Sequence, residues 1–98
     1  MVVKMNTYMI IEHYKAGKAE EIYRRFSEKG RMLPNGVLYM DSWVEENLQK
    51  CYQLMKSESR EKIDEWISHW EDLVDFEVIP VLSSSAAKEA LNQGKKEK

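Results

Sequence analysis

The sequence predicts an α+β fold with the order β-α-β-β-α-β: the ferredoxin-like arrangement, a four-stranded antiparallel sheet with two helices on one face. Three observations predict it. Short runs rich in β-branched and aromatic residues alternate with two amphipathic stripes of helical period. Two of the runs are separated by so few polar residues that they form a hairpin. The strand-like runs are apolar on both faces, although 98 residues supply helix for only one face of such a sheet.

The elements follow in order. Thr7 to Tyr14 (TYMIIEHY) is too short for a buried helix and reads as the first strand. In the segment from Gly17 to Gly30, Ala19, Ile22, Tyr23 and Phe26 fall at i, i+3, i+4, i+7 on one helical stripe. Gly30 suits a left-handed cap, and Pro34 prevents the helix from resuming. After the Pro34, Asn35, Gly36 turn come Val37 to Val44 (VLYMDSWV), a polar break at Glu45, Glu46 and Asn47, then Leu48 to Lys56 (LQKCYQLMK). Ser57 and Ser59 are candidate N-caps for a second helix with the stripe Ile63, Trp66, Ile67, Trp70. Phe76 to Leu82 (FEVIPVL) is the fourth strand, and Pro80, which donates no backbone hydrogen bond, implies an edge or a bulge. Residues 1–82 are thus one ferredoxin-like domain. Residues 83–98 read as a polar C-terminal tail, partly disordered, with a short helix through Ala86 to Asn92 and a mobile Lys-rich end.

Strand parity carries the assembly argument. The first strand places Met9 and Ile11 on one side and Tyr8, Ile10 and Tyr14 on the other. The second sets Val37, Tyr39 and Trp43 against Leu38, Met40 and Val44, and the fourth sets Phe76 and Val78 against Ile79 and Val81. A half-solvated sheet alternates apolar with polar residues; this one does not. An open face of this kind exceeds the roughly 300–600 Å² of apolar patch that monomers usually carry. Two copies packed sheet to sheet, a symmetric homodimer, cover it.

Composition narrows the function classes. The chain is 43% hydrophobic and 33% charged, the make-up of a folded protein with a thin core. A net charge of −2 supplies no positive field for phosphate backbones or anionic lipid, so neither nucleic acid nor membrane is an expected partner. RNA-recognition domains share the strand order, but their third strand carries a basic, Gly-aromatic run where this chain has LQKCYQLM. Lys18, Arg24, Arg25 and Lys29 on the first helix are diluted by Glu20, Glu21 and Glu28, which makes a solvated mixed-charge face. The lone Cys51 forms no intrachain disulfide, and no signal-peptide pattern or membrane-length apolar run occurs; a cytoplasmic location is the expectation.

No motif fixes a reaction. The two histidines are His13, late in the first strand, and His69, on the flank of the second helix. If the odd-numbered face of the first strand turns to the helices, both reach one cavity, with His13 as general base or axial ligand; the plainer reading is a pair of boundary histidines. No metal-binding spacing is present, and no metal or other cofactor is expected. Cys51 in mid-strand reads as a small buried hydrophobe. Tyr39, Trp43, Tyr52, Trp66, Trp70 and Phe26 could line a cavity for a flat apolar ligand, with Gln53, Arg24 and Tyr hydroxyls as polar contacts, or simply fill the core. Asp41 and Glu12 interrupt apolar strands, and such carboxylates need partners, for which Arg24, Arg25 and Arg31 are available.

The stretches IEHYKAGKAEEIYRRFSEKGRMLP, GVLYMDSWVEENLQKCYQLM and WEDLVDFEVIPVLSS resemble a small family of microbial proteins of unknown function in the dimeric α/β-barrel superfamily. The resemblance spans roughly residues 7–85 and implies a ferredoxin-like fold in homodimers or larger assemblies, commonly with a pocket between sheet and helices. The wider superfamily includes cofactor-independent oxygenases, haem-binding and haem-degrading members and stress-response proteins. Fold analogy alone assigns none of these activities. The expectation is a homodimer binding a small, largely apolar or aromatic molecule between sheet and helices, through Tyr39, Trp43, Tyr52, Gln53, Trp66, His69 and Trp70. The competing expectations are an oxygenase-like enzyme using His13 with nearby tyrosines, and a structural or interaction domain without ligand.

Overall fold

Seven elements make up the computed structural model, which describes residues 4–96. They are β1 (Asn6–Tyr14), α1 (Ala19–Lys29), β2 (Val37–Val44), β3 (Lys50–Ser57), α2 (Arg60–Ile67), β4 (Val74–Val81) and α3 (Ser84–Lys96). The strands form one antiparallel sheet in the order β2-β3-β1-β4, the ferredoxin-like topology expected from the sequence. Pro80 sits in the edge strand β4, where its missing N–H breaks no ladder.

Local chemistry sets the boundaries. Glu20 and Glu21 lie in the first turn of α1 and Lys29 in its last, each complementing the helix dipole. Gly30 closes the helix at φ 66°, its N–H donating to the Phe26 carbonyl at 2.8 Å. Of the two candidate caps for α2, Ser59 takes the position, its side chain accepting from the Lys62 N–H. The polar break after β2 runs on through Leu48, which adopts φ 59°, so β3 starts at Lys50 and not at Leu48.

One face of the sheet carries the core. β1 turns its even-numbered side chains to α1 and α2, burying Tyr8 and Ile10, and β3 contributes Cys51, Gln53, Met55 and Ser57. Ile22, Ile63, Trp66, Trp70, Leu73 and Val74 close over them. Ile10, Met55 and Ile63 are wholly buried, so this thin two-layer core is well packed where α2 crosses the sheet.

A β-bulge in β2 breaks the simple parity of the sequence. Tyr39 lies opposite Met55 and Asp41 opposite Leu54, so Met40 and Asp41 together answer one residue of β3. Beyond the bulge Trp43 faces away from the helices opposite Tyr52, while Ser42 and Val44 turn toward them opposite Gln53 and Cys51. Trp43 therefore leaves the face of Val37 and Tyr39 on which strict alternation places it.

The second face is open among the described residues. Leu38, Met40, Trp43 and Ile79 are 52%, 45%, 53% and 41% exposed, and Met9, Ile11, Tyr52 and Leu54 of the central strands lie beside them. The tail is also more regular than the sequence suggests: α3 is a 13-residue helix, with Ala87, Ala90 and Leu91 on one stripe and Leu91 69% exposed. The molecule extends 54 Å along its longest axis, with a radius of gyration of 16.0 Å against about 13 Å for a compact chain of this size. The mobility expected at the Lys-rich terminus falls in part on residues 97 and 98, outside the described residues.

Candidate functional site

Between the sheet and α1 lies a partly enclosed cavity of about 140 Å³. Its floor is the helix-facing row of the sheet: Glu12 and Tyr14 from β1, Cys51 and Gln53 from β3, Ser42 and Val44 from β2, and Val74 of β4. Ile22, Tyr23 and Phe26 of α1 form the roof, and Trp66 and Trp70 close the far end. Tyr23, Phe26 and Val44 are each about two-fifths exposed, so the mouth opens between α1 and edge strand β2. The walls are mostly apolar and aromatic, the usual character of a small-molecule site.

The polar groups inside are few and unusual. Glu12 sits in the middle of an apolar strand, opposite Cys51 on one side and Phe76 on the other. Burial drives its carboxyl from the ordinary 4.5 up to about 7; the neighbouring Cys51 thiol and the Arg31 charge offset only part of that effect. The same burial, with Glu12 alongside, pushes the Cys51 thiol up to about 12. It is therefore a protonated, unreactive group near neutral pH. Tyr14 packs edge-on against Tyr23, with ring centroids 6.3 Å apart, and its phenol is also pushed upward, chiefly by burial.

Arg31 reaches the cavity from the loop between α1 and β2, and the loop is built to present it. Gly30 and Met32 on either side adopt φ 66° and 59°. The Arg31 carbonyl accepts hydrogen bonds from both Trp66 and Trp70 indole N–H groups at 3.0 Å. These two bonds tie the loop to α2 and the turn after it. The guanidinium lies 3.6 Å over the Tyr39 ring and 4.9 Å from the Phe26 ring. Its Nε is buried and donates to nothing, and among the described residues the group forms no ion pair. Tyr39 in turn exchanges a 2.7 Å hydrogen bond with Ser42.

Arg25 fixes the roof. It makes a bidentate pair with Asp72 at 2.8 and 2.7 Å, donates to the His69 carbonyl at 3.0 Å, and stacks on Trp70. α1 is thereby bolted to the α2–β4 turn.

The residues singled out from sequence separate into three places. Gln53, Trp66 and Trp70 line the cavity, and Tyr39 backs it through Arg31. Trp43 and Tyr52 lie on the opposite face of the sheet, where the Tyr52 hydroxyl donates to Glu45. His69 is exposed beyond α2, and only its backbone carbonyl takes part, accepting from Arg25. His13 also lies on the open face, 2.5 Å from the Glu77 carboxylate, because β1 turns its even-numbered side chains inward. Tyr14 was not singled out from sequence; Glu12 and Arg31 were read there as a carboxylate and an available partner, and Cys51 as a small buried hydrophobe, and the structure brings all four to the cavity. The signal for Glu12 and Arg31 was the lone carboxylate within an apolar strand and its need for a counter-charge; nothing in the letters marked Tyr14 or Cys51 as cavity residues.

The comparisons with known proteins add a family and no activity. No curated protein and no solved structure matches the chain. A family model described as a domain of unknown function (DUF3303) matches residues 6–95, nearly the whole described length, and the chain belongs to that family.

Proposed function

We propose that this chain is a homodimeric α/β-barrel protein that binds a small, largely apolar or aromatic molecule in the cavity between its sheet and α1. The cavity carries this reading: about 140 Å³, walled by aromatic rings, with a mouth to solvent. A dry apolar cavity of roughly 150 Å³ holds a benzene-sized guest. Gln53, Trp66 and Trp70 supply wall and amide; Glu12 and Arg31 supply the polar contacts. The oxygenase-like alternative with His13 as base gains nothing from the geometry, since His13 and Tyr52 are across the sheet from the cavity. Self-association draws support from the exposed Leu38, Met40, Trp43 and Ile79 and from the unpacked stripe of α3, for which a second copy is the simplest cover.

The test is titration with benzyl alcohol, read by fluorescence of the cavity tryptophans. At roughly 0.5 kcal/mol per non-hydrogen atom, such a ligand binds at about 1 mM. Saturable binding to the wild type, abolished in Val44→Trp where the new indole fills the mouth, supports the reading. Absence of saturation, or unchanged binding in V44W, refutes it. Sedimentation of the same samples at micromolar concentration is expected to give a dimer mass; a compact monomer removes the pairing.

A further inference from the structure

We infer that the cavity selects an aromatic carboxylate: the anionic group lies against Arg31, and a proton is taken up at Glu12 as the anion binds. The inference rests on reading the cavity as a ligand site and names the ligand class that this site takes.

The guanidinium carries the argument. Tyr39 and Phe26 cover Arg31 with their rings and its Nε is closed off, so what remains for a ligand in the cavity is the terminal edge of the guanidinium, which forms no ion pair among the described residues. A planar carboxylate is the group that meets a guanidinium edge with two parallel hydrogen bonds. A neutral hydroxyl or carbonyl oxygen accepts at one point and leaves the cation uncompensated. The walls suit the remainder of such a molecule, since Phe26, Tyr23, Trp66 and Trp70 offer flat surfaces within about 140 Å³. That space admits a single ring and little more.

Glu12 then decides when an anion can enter. The groups facing it are Cys51 from β3, Tyr14 from β1, Tyr23 from α1 and Arg31 from the α1–β2 loop. β4 faces it with Phe76, β2 lines the same cavity with Ser42 and Val44, and α2 presents Trp66; none of these titrates. Arg31 is thus the one permanent charge in the set. When Glu12 is ionised, it compensates Arg31 and repels an incoming carboxylate. When Glu12 is protonated, the cavity holds one uncompensated cation and an O–H that can donate to the ligand's oxygen. The competent state is the protonated one, and apparent affinity scales with its population. The proton moves from solvent to the Glu12 carboxylate, and no covalent bond to the ligand forms or breaks.

Calorimetric titration of the full chain with sodium benzoate and with benzyl alcohol, at pH 6 and pH 8 in buffers of different ionisation enthalpy, tests this. With Glu12 titrating near 7, benzoate affinity is expected to be about tenfold weaker at pH 8 than at pH 6. About one proton is taken up per benzoate at pH 8 and almost none at pH 6. Benzyl alcohol shows neither effect. In Glu12→Gln the pH dependence of benzoate binding disappears while both histidines are retained, which separates Glu12 from His13 and His69. Arg31→Met is expected to weaken benzoate at least tenfold and leave benzyl alcohol in place; Arg31→Lys, which keeps the charge without the fork, is intermediate. Equal benzoate affinity at both pH values in the wild type, or benzoate bound no better than benzyl alcohol at pH 6, overturns the inference and leaves the cavity a neutral-ligand site. Failure of both ligands to bind removes the inference and the underlying reading together.

Discussion

Neutralising Glu12 is expected to stabilise the protein above neutral pH. Its carboxyl, displaced by burial from 4.5 to about 7 in the folded chain, returns to an ordinary value on unfolding. A raised folded-state value means that the native protein keeps a proton which the unfolded chain has already released. The associated stability is fully present below pH 4.5 and is lost as pH rises through about 7. At about 1.36 kcal/mol per pH unit the displacement corresponds to about 3 kcal/mol, and water at the cavity mouth reduces this to about 2 kcal/mol. Glu12→Gln keeps the shape and stays neutral throughout, so it does not incur this loss. Urea unfolding of wild type and E12Q at pH 5, 6, 7 and 8, at one protein concentration, measures the difference. The two are expected to be similar near pH 5, with E12Q the more stable protein at pH 8. The other titrating groups cancel in the comparison. A difference that stays constant from pH 5 to pH 8 would show that Glu12 titrates as an exposed carboxyl and would sink the electrostatic account of the cavity.

Two further substitutions probe the frame around the site. Ile63 is wholly buried where α2 meets the sheet, so Ile63→Ala is expected to cost about 2–5 kcal/mol in urea unfolding; a loss below about 1 kcal/mol would mean that α2 is not firmly packed. Asp72→Asn breaks the bidentate pair with Arg25, but Asp72 is 60% exposed, so the loss is expected to stay within about 1 kcal/mol. The Arg25 guanidinium holds the Asp72 carboxyl below its ordinary 3.8, so this stability exists above that pH and fades as the pH falls through the depressed value. Wild type and D72N should therefore converge in acid, and a gap that widens there would contradict the pairing.

Strand order and the two amphipathic helices could be read from the letters, because period and turn chemistry are local properties of the chain; for Pro80 the letters left an edge or a bulge, and the sheet order puts it at an edge. Gly30 as helix terminator belongs to the same class, and so does a serine cap for α2, with Ser57 and Ser59 both offered by the letters and Ser59 chosen in the structure. The presence of apolar residues on both sides of the sheet was equally legible from the alternation of Met9, Ile10 and Ile11.

Which face the helices cover could not be read that way, because both faces of β1 are greasy and packing against α1 and α2 breaks the tie. That choice sends Glu12 and Tyr14 inward and His13 outward. The bulge at Met40 and Asp41 is a second decision of the same kind: one extra residue in β2 exchanges Trp43 for Ser42 and Val44 at the cavity. Arg31 is the third. Its place over Tyr39 depends on two indoles of the α2 region, 35 and 39 residues further along, gripping one carbonyl. The sequence alone determined a ferredoxin-like layer with more apolar surface than its own helices cover. The tertiary structure decided which carboxylate, arginine and rings share the cavity, because burial and long-range contact create a site that no local period encodes.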